Sequence, residues 1–141
     1  MDRDINKYFL NIVNIVATRA TCNRKKVGCI IVKDKNIIAT GYNGSPIGLE
    51  HCEDVGCEID DNGSCIRTTH AEQNAICQAA KNGISINGAT IYCSMFPCYT
   101  CAKMIINCGI KEIYYLDDYH SSERSINIFK KANIKINKIK L

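Results

Sequence analysis

Residues 89–116 read ATIYCSMFPCYTCAKMIINCGIKEIYYL, and this stretch decides the fold. Its two ends, Ala89 to Ser94 and Ile110 to Leu116, are short runs rich in β-branched and aromatic residues, which predicts two strands. Between them, Cys98 to Cys108 predicts a helix that Gly109 ends. A strand, a helix and a strand in this order indicate parallel strands joined by a crossover helix.

The same alternation continues on both sides of this stretch. Toward the N-terminus, apolar residues at helical spacing predict a helix over about 4–20, and β-branched runs predict a hairpin of Val27 to Val32 with Asn36 to Tyr42. A helix from His70 to Lys81 precedes the stretch, and a helix over about 122–132 and a last short strand follow it. The sequence therefore predicts an α/β fold whose parallel-containing sheet is covered on both faces.

Length and composition limit the class of protein. A chain of 141 residues suits a single domain, residues 1–141, with one active site. The net charge of +4 suits a small anionic ligand, although a solvated lysine-rich C-terminal surface also explains it, and no nucleic-acid partner is expected. No run approaches the roughly 18 apolar residues that span a membrane, so the expected location is cytoplasmic. Ten cysteines in a reducing compartment then indicate metal ligation or burial.

The strongest chemical signal is His70-Ala71-Glu72 followed by Pro97-Cys98-Tyr99-Thr100-Cys101, the H-x-E and P-C-x-x-C pattern of zinc deaminases. Cys98 and Cys101 share one face of a first helical turn, where the positive helix end favours the metal-binding thiolate. His70, Cys98 and Cys101 would leave the fourth tetrahedral position of a zinc ion open for water, as catalytic zinc sites do.

Glu72, two residues after the predicted histidine ligand, is the expected catalytic residue. Its carboxylate would take a proton from water and pass it to a ring nitrogen and then to the departing amine, so that ammonia leaves and a carbonyl remains. Each half of the pattern also has a plainer interpretation. Thr69 and Glu72 fit a capping box, and Cys-x-x-Cys alone fits a structural zinc knuckle or a redox pair.

A second zinc site is predicted in the long loop over about 43–69. Cys52, Cys57 and Cys65 lie close together there, and Cys22 or His51 would complete a closed, structural set. The alternative is that the three thiols simply pack against the core.

Beyond the zinc ligands, the chain resembles the zinc-dependent cytidine and deoxycytidylate deaminases. The matching segments are Thr21 to Gly28, Gly41 to Gly48, His51-Cys52, Cys65 to Glu72 and Asp117 to His120. The resemblance implies hydrolysis of dCMP to dUMP for thymidylate synthesis, in a three-layer α/β/α sandwich with a central five-stranded mixed sheet. It also implies a homo-oligomer, a hexamer, that dCTP with Mg²⁺ activates and dTTP inhibits.

Four further residues are candidates for contacts with the nucleotide. The resemblance makes Asn43 a nucleotide contact and Arg24 a phosphate contact. Arg24 would otherwise belong to an exposed basic turn, and Asn43 would otherwise be there because asparagine tolerates a positive φ. Tyr115 and Tyr119, near the C-terminal end of a strand, would line the base pocket or pack in the core.

Two other functions compete with this interpretation. One is a deaminase of the same fold that acts on free nucleosides, on a base in transfer RNA or on single-stranded DNA, although the modest charge argues against a polynucleotide track. The other is a non-catalytic zinc module that binds proteins, which would need only closed Cys and His sites.

Overall fold

The computed structural model describes residues 3–141. In chain order its elements are α1 (Ile5–Ala17), β1 (Gly28–Lys33), β2 (Asn36–Tyr42), α2 (Cys52–Val55), α3 (Ala71–Lys81), β3 (Thr90–Met95), α4 (Tyr99–Asn107), β4 (Glu112–Asp117), α5 (Glu123–Lys131) and β5 (Lys135–Lys138). No helix in this part of the chain is long and apolar enough to cross a membrane.

The five strands form one mixed sheet in the order β2-β1-β3-β4-β5. Strand β1 pairs antiparallel with both β2 and β3, whereas β3, β4 and β5 run parallel. The predicted crossover is therefore present, since α4 joins the parallel neighbours β3 and β4. Strand β5, with the sequence KINK, is one edge of the sheet.

Helices cover both faces of the sheet, which confirms the predicted three-layer sandwich. On one face, α1 packs Phe9, Leu10 and Val13 against residues of β1 and β3. On the other face, the larger core joins the sheet to α3, α4 and α5; it includes Ile91, Ile113, Ala75, Ile105 and Phe129. The second face is the one whose helices carry the H-x-E and P-C-x-x-C motifs.

One predicted helix boundary and one predicted loop need correction. Helix α1 ends at Ala17 rather than near residue 20, because Thr18 and the next two residues form a turn with i→i−3 hydrogen bonds. The loop over 43–69 contains the short helix α2, which the sequence did not predict because four residues are too few to show a helical period.

Two glycines let helices lie directly against the sheet. A Cβ at Gly41 would lie 2.2 Å from the carbonyl oxygen of Ala71 and 2.4 Å from the amide nitrogen of Ala75, both in α3. A Cβ at Gly28 would lie 2.3 Å from the carbonyl oxygen of Val13 in α1. The start of α3, which carries the H-x-E motif, is therefore positioned by backbone contact with β2.

Candidate active site

The starts of two helices bring the three predicted metal ligands together. His70 is the N-cap of α3, Cys98 is the N-cap of α4, and Cys101 lies in the first turn of α4. The Nδ1 atom of His70 lies 3.4 Å from the Sγ of Cys98 and 3.3 Å from the Sγ of Cys101. Zinc bonds of about 2.0 Å to nitrogen and 2.3 Å to sulfur place tetrahedral ligands roughly 3.6 Å apart, so this spacing fits the ion.

The protonation of the two thiols also suits a metal. A hydrogen bond from Cys101 lowers the pKa of Cys98 to about 4, and the contact with His70 acts in the same direction. The pKa of Cys101 is raised, mainly because Cys101 donates the hydrogen bond between the two thiols and so keeps its proton. Burial raises this pKa further. The lowered pKa of Cys98 favours its thiolate, the form that binds zinc.

Glu72 lies beside this cluster, in the first turn of α3, and its side chain is only 5% exposed. Burial raises its pKa above the usual value of a glutamate. The capping-box interpretation of Thr69 and Glu72 is wrong, because His70 is the N-cap and its N–H donates to the side chain of Gln73 at 2.9 Å. Glu72 is therefore not needed as a cap, and it lines the cavity instead.

A cavity of about 360 Å³ is lined by Glu72 and by two of the predicted metal ligands, His70 and Cys98. This volume lies at the lower end of the range for small-ligand pockets, which is about 300–1,000 Å³. Its lining combines basic, polar and aromatic side chains, among them Arg24, Lys25, Asn43, Phe96, Tyr119 and His120. The combination suits a flat polar ring that carries an anionic group.

Asn43 holds the basic turn at the mouth of this cavity. Its Oδ1 accepts the N–H of Val27 at 2.7 Å, and its Nδ2 donates to the carbonyl oxygen of Lys25 at 2.7 Å. Asn43 does not have a positive φ, so that explanation of the asparagine is wrong. The side chain lines the cavity and at the same time fixes the backbone of the turn over 24–26.

Two of the three basic residues of this turn line the cavity, and the third does not. Arg24 and Lys25 line the cavity, and Nη1 of Arg24 donates to the carbonyl oxygen of Gly63 at 3.2 Å. Lys26 turns away, donates to the carbonyl oxygen of Ala20 at 2.8 Å and pairs with Glu53. Arg24 was predicted from the sequence and Lys25 was not, because a run of three basic residues does not reveal which side chains face inward.

The two tyrosines considered for the base pocket have different positions. Tyr115 packs in the core, 8% exposed, with its ring centroid 4.7 Å from that of Phe96, and it does not line the cavity. Tyr119 does line the cavity, next to His120. His120 was also missed as a cavity residue, although it belongs to a segment that carries the family resemblance.

The long loop brings a second group of thiols together. The sulfur atoms of Cys52, Cys57 and Cys65 lie within 4.8 Å of one another, and the first and last are 3.7 Å apart. Burial acts to raise the pKa of Cys65, but hydrogen bonds from backbone groups outweigh it and lower this pKa to about 7. Cys22 lies outside this cluster of three but lines the same cavity as Cys65, and Nδ1 of His51 is buried without a hydrogen-bond partner among the described residues.

Comparison with known proteins agrees with this geometry. Residues 3–117 match the family profile described as the cytidine and deoxycytidylate deaminase zinc-binding region. The crystal structure of dCMP deaminase from the cyanophage S-TIM5, in complex with dCMP and dUMP, superimposes with a TM-score of 0.87 at 33% identity and covers 99% of each chain.

Two curated relatives share sequence with nearly the whole chain. The ComE operon protein 2 of Bacillus subtilis is 45% identical over 137 residues, which are 96% of this chain and 71% of that protein. The deoxycytidylate deaminase of Saccharomyces cerevisiae is 36% identical over 93% of this chain, which spans only 43% of the yeast enzyme. The profile match and the conserved fold show that the chain belongs to the cytidine and deoxycytidylate deaminases and is a zinc-dependent hydrolase.

Proposed function

We propose that this chain hydrolyses dCMP to dUMP and ammonia. The observation that carries the proposal is a three-ligand cluster with buried Glu72 beside it, under a cavity whose mouth presents Arg24 and Lys25. The similarity to a phage enzyme solved with dCMP and dUMP supports the same substrate.

Glu72 is the proposed proton carrier of the reaction. His70, Cys98 and Cys101 would hold a zinc ion, which would supply a Lewis acid that lowers the pKa of water toward neutrality. Glu72 would accept a proton from the attacking water and donate it to the ring nitrogen next to the amino-bearing carbon, while the water oxygen bonds to that carbon. Glu72 would then carry the second proton of that oxygen to the amine nitrogen, so that the carbon–nitrogen bond breaks, ammonia leaves and a carbonyl remains. Its burial suits this role, because burial raises the pKa of the carboxyl group and so makes the proton easier to accept.

Arg24 and Lys25 are proposed to select the nucleotide over the free nucleoside. Both line the cavity, and a phosphate between them would accept charge-assisted hydrogen bonds. Arg24 already donates to Gly63, so phosphate binding would compete with that bond or share the guanidinium group with it. Tyr119 and Phe96, which line the cavity, are proposed to contact the base, and Asn43, whose Nδ2 has a second hydrogen to donate, is proposed to contact the sugar or base.

We also propose a structural zinc in the long loop, held by Cys52, Cys57, Cys65 and Cys22. The three clustered thiols supply three ligands of a closed structural set, and Cys22, which lines the same cavity as Cys65, is the proposed fourth. His51 is the other candidate for the fourth ligand. Zinc loss in Cys22→Ser but not in His51→Ala would support the all-cysteine set, and the reverse result would assign the position to His51.

The assembly, regulation and location remain proposals that follow from family membership. We expect a hexamer in the cytoplasm that supplies dUMP for dTMP biosynthesis, with dCTP and Mg²⁺ as activator and dTTP as inhibitor. The reducing cytoplasm would keep the clustered thiols in the form that metal binding needs. No response of dCMP turnover to either nucleotide would contradict the regulatory part.

The decisive experiment measures ammonia release by the zinc-loaded protein from dCMP, deoxycytidine and a cytosine-containing oligonucleotide. We expect the highest kcat/KM for dCMP. A preference for deoxycytidine or for the oligonucleotide would favour the rival deaminase functions. No ammonia from any of the three, in protein that retains zinc, would favour a non-catalytic zinc module.

A further inference from the structure

The turn that carries Arg24 has little backbone support of its own. Backbone hydrogen bonds hold its two flanks: the N–H of Thr21 donates to the carbonyl oxygen of Asn43 at 3.1 Å, and the N–H of Asn43 donates to the carbonyl oxygen of Val27 at 3.2 Å. Between these flanks, residues 22–26 form no backbone-to-backbone hydrogen bond with any part of the chain that the structure describes. The shape of this turn therefore depends on side-chain contacts.

Two asparagine side chains hold the turn from opposite sides of Arg24. On one side, Nδ2 of Asn43 donates to the carbonyl oxygen of Lys25 at 2.7 Å. On the other side, Nδ2 of Asn23 donates to the carbonyl oxygen of Cys52 at 3.2 Å. Both residues adjacent to Arg24 in the chain are thus attached to another segment, and the position of the Arg24 backbone follows from these two bonds.

Asn23 is attached to a well-held point of the long loop. Cys52 is fully buried and begins α2, and its carbonyl oxygen also accepts the N–H of Gly56 at 2.9 Å. Its thiol belongs to the cluster of three thiols in the same loop. A buried, hydrogen-bonded residue moves less than an exposed turn does, so this bond restrains the turn rather than the loop.

Two other side chains of the turn also contact the long loop. Arg24 donates to the carbonyl oxygen of Gly63, but a bound phosphate would compete for that guanidinium group. Lys26 and Glu53 form an ion pair of 3.8 Å, and both side chains are 50% exposed, so this pair contributes little. Asn23 does not line the cavity, so phosphate binding leaves its hydrogen bond to the loop intact.

We propose that Asn23 is a positioning residue for recognition of the phosphate of dCMP. By fixing the backbone next to Arg24, it holds the guanidinium group at the cavity mouth before the nucleotide arrives. An arginine side chain has several rotatable bonds, and less freedom is lost on binding when its backbone is already fixed. The inference rests on the proposed use of dCMP, and it adds that the long loop sets the affinity for phosphate through Asn23. Because the proposed catalytic residues lie elsewhere, KM should depend on Asn23 and kcat should not.

The test is the steady-state kinetics of Asn23→Ala with dCMP and with deoxycytidine, in protein checked for zinc content. KM for dCMP should rise about fivefold, the usual effect of losing one neutral hydrogen bond, while kcat stays at the wild-type value. For deoxycytidine, kcat/KM should not change, because this substrate has no phosphate. Glu53→Gln is the matched control, since it removes a contact between the same turn and the same loop. It should keep the wild-type KM for dCMP.

A double variant shows whether Asn23 acts through Arg24. In the Arg24→Ala background, Asn23→Ala should raise KM for dCMP no further, because the group that it positions is already gone. Asn23 is exposed, so the single variant should fold, and circular dichroism checks this. An unchanged KM in Asn23→Ala, an equal loss with deoxycytidine, or additive effects in the double variant would each overturn this inference and leave the proposed function standing. A wild-type protein that releases no ammonia from dCMP would overturn both.

Discussion

Replacing Gly41 with alanine tests whether the contact between β2 and α3 sets the geometry of the active site. The new Cβ would lie 2.2 Å from the carbonyl oxygen of Ala71, so β2 and α3 would have to separate by roughly 1 Å to restore van der Waals distance. Ala71 lies between the ligand His70 and the proposed proton carrier Glu72. The separation would therefore move both residues relative to Cys98 and Cys101.

The substitution should lower both the stability of the fold and the rate of the reaction. Overpacking of this kind destabilises a protein by about 1–3 kcal/mol, and replacing glycine reduces that cost by about 0.4–1 kcal/mol because it restricts the unfolded chain. For a chain of this size the midpoint of thermal unfolding should fall by roughly 4 °C for each kcal/mol. Displacing catalytic groups by about 1 Å should lower kcat by about 10²-fold in addition.

Gly28→Ala is the matched control for this experiment. Its Cβ would meet α1 at 2.3 Å, a similar overlap, but α1 carries none of the proposed metal ligands or catalytic residues. Both variants should lose a similar amount of thermal stability by calorimetry, and only Gly41→Ala should lose most of its dCMP turnover per folded, zinc-loaded molecule. Equal turnover in the two variants would refute the idea that β2 positions the active site.

Three other substitutions test individual roles. Glu72→Gln should retain zinc and lose about 10²- to 10⁴-fold in turnover because the proton carrier is removed, and a variant as active as wild type would contradict that role. Arg24→Ala should lower kcat/KM for dCMP by about tenfold or more and leave deoxycytidine nearly unaffected, because only dCMP has a phosphate; equal losses would make Arg24 structural. Cys57→Ser should reduce the metal content of desalted protein from about two zinc ions per chain to about one and lower thermal stability; a wild-type protein with one zinc would refute the structural site.

The features predicted best from the sequence are those that depend on residues close together in the chain, namely the secondary-structure elements and the side chains at helix starts. The strand, helix and strand over 89–116 formed as expected, and the proposed ligands His70, Cys98 and Cys101 lie at helix starts, where a capping position and a first turn fix the side chains. The same reasoning places Glu72 in the first turn of α3. These positions follow from local backbone geometry, which the residue pattern reflects directly.

What the sequence could not predict depends on tertiary packing. The residue pattern of β4 could not show whether Tyr115 faces the core or the ligand cavity. In an α/β fold helices cover both faces of the sheet, so an apolar or aromatic residue can be buried on either face. The amide of Asn43 bonds to backbone groups from another strand end, a contact that only the folded chain creates. Helical periodicity identified α1 but could not show that its apolar residues divide into a buried face and an exposed stripe.

The edge strand β5 carries its own protection against aggregation. An edge strand presents unpaired backbone groups that can join the sheet of another molecule. Here β5 is only four residues long, and the lysines at both its ends form ion pairs, Lys135 with Glu112 and Lys138 with Asp118. Between them and just after them lie Ile136 and Ile139, so without the two charges this segment would be a short, uncharged run with high β-propensity. The lysines thus act as gatekeepers that let the sheet end at β5.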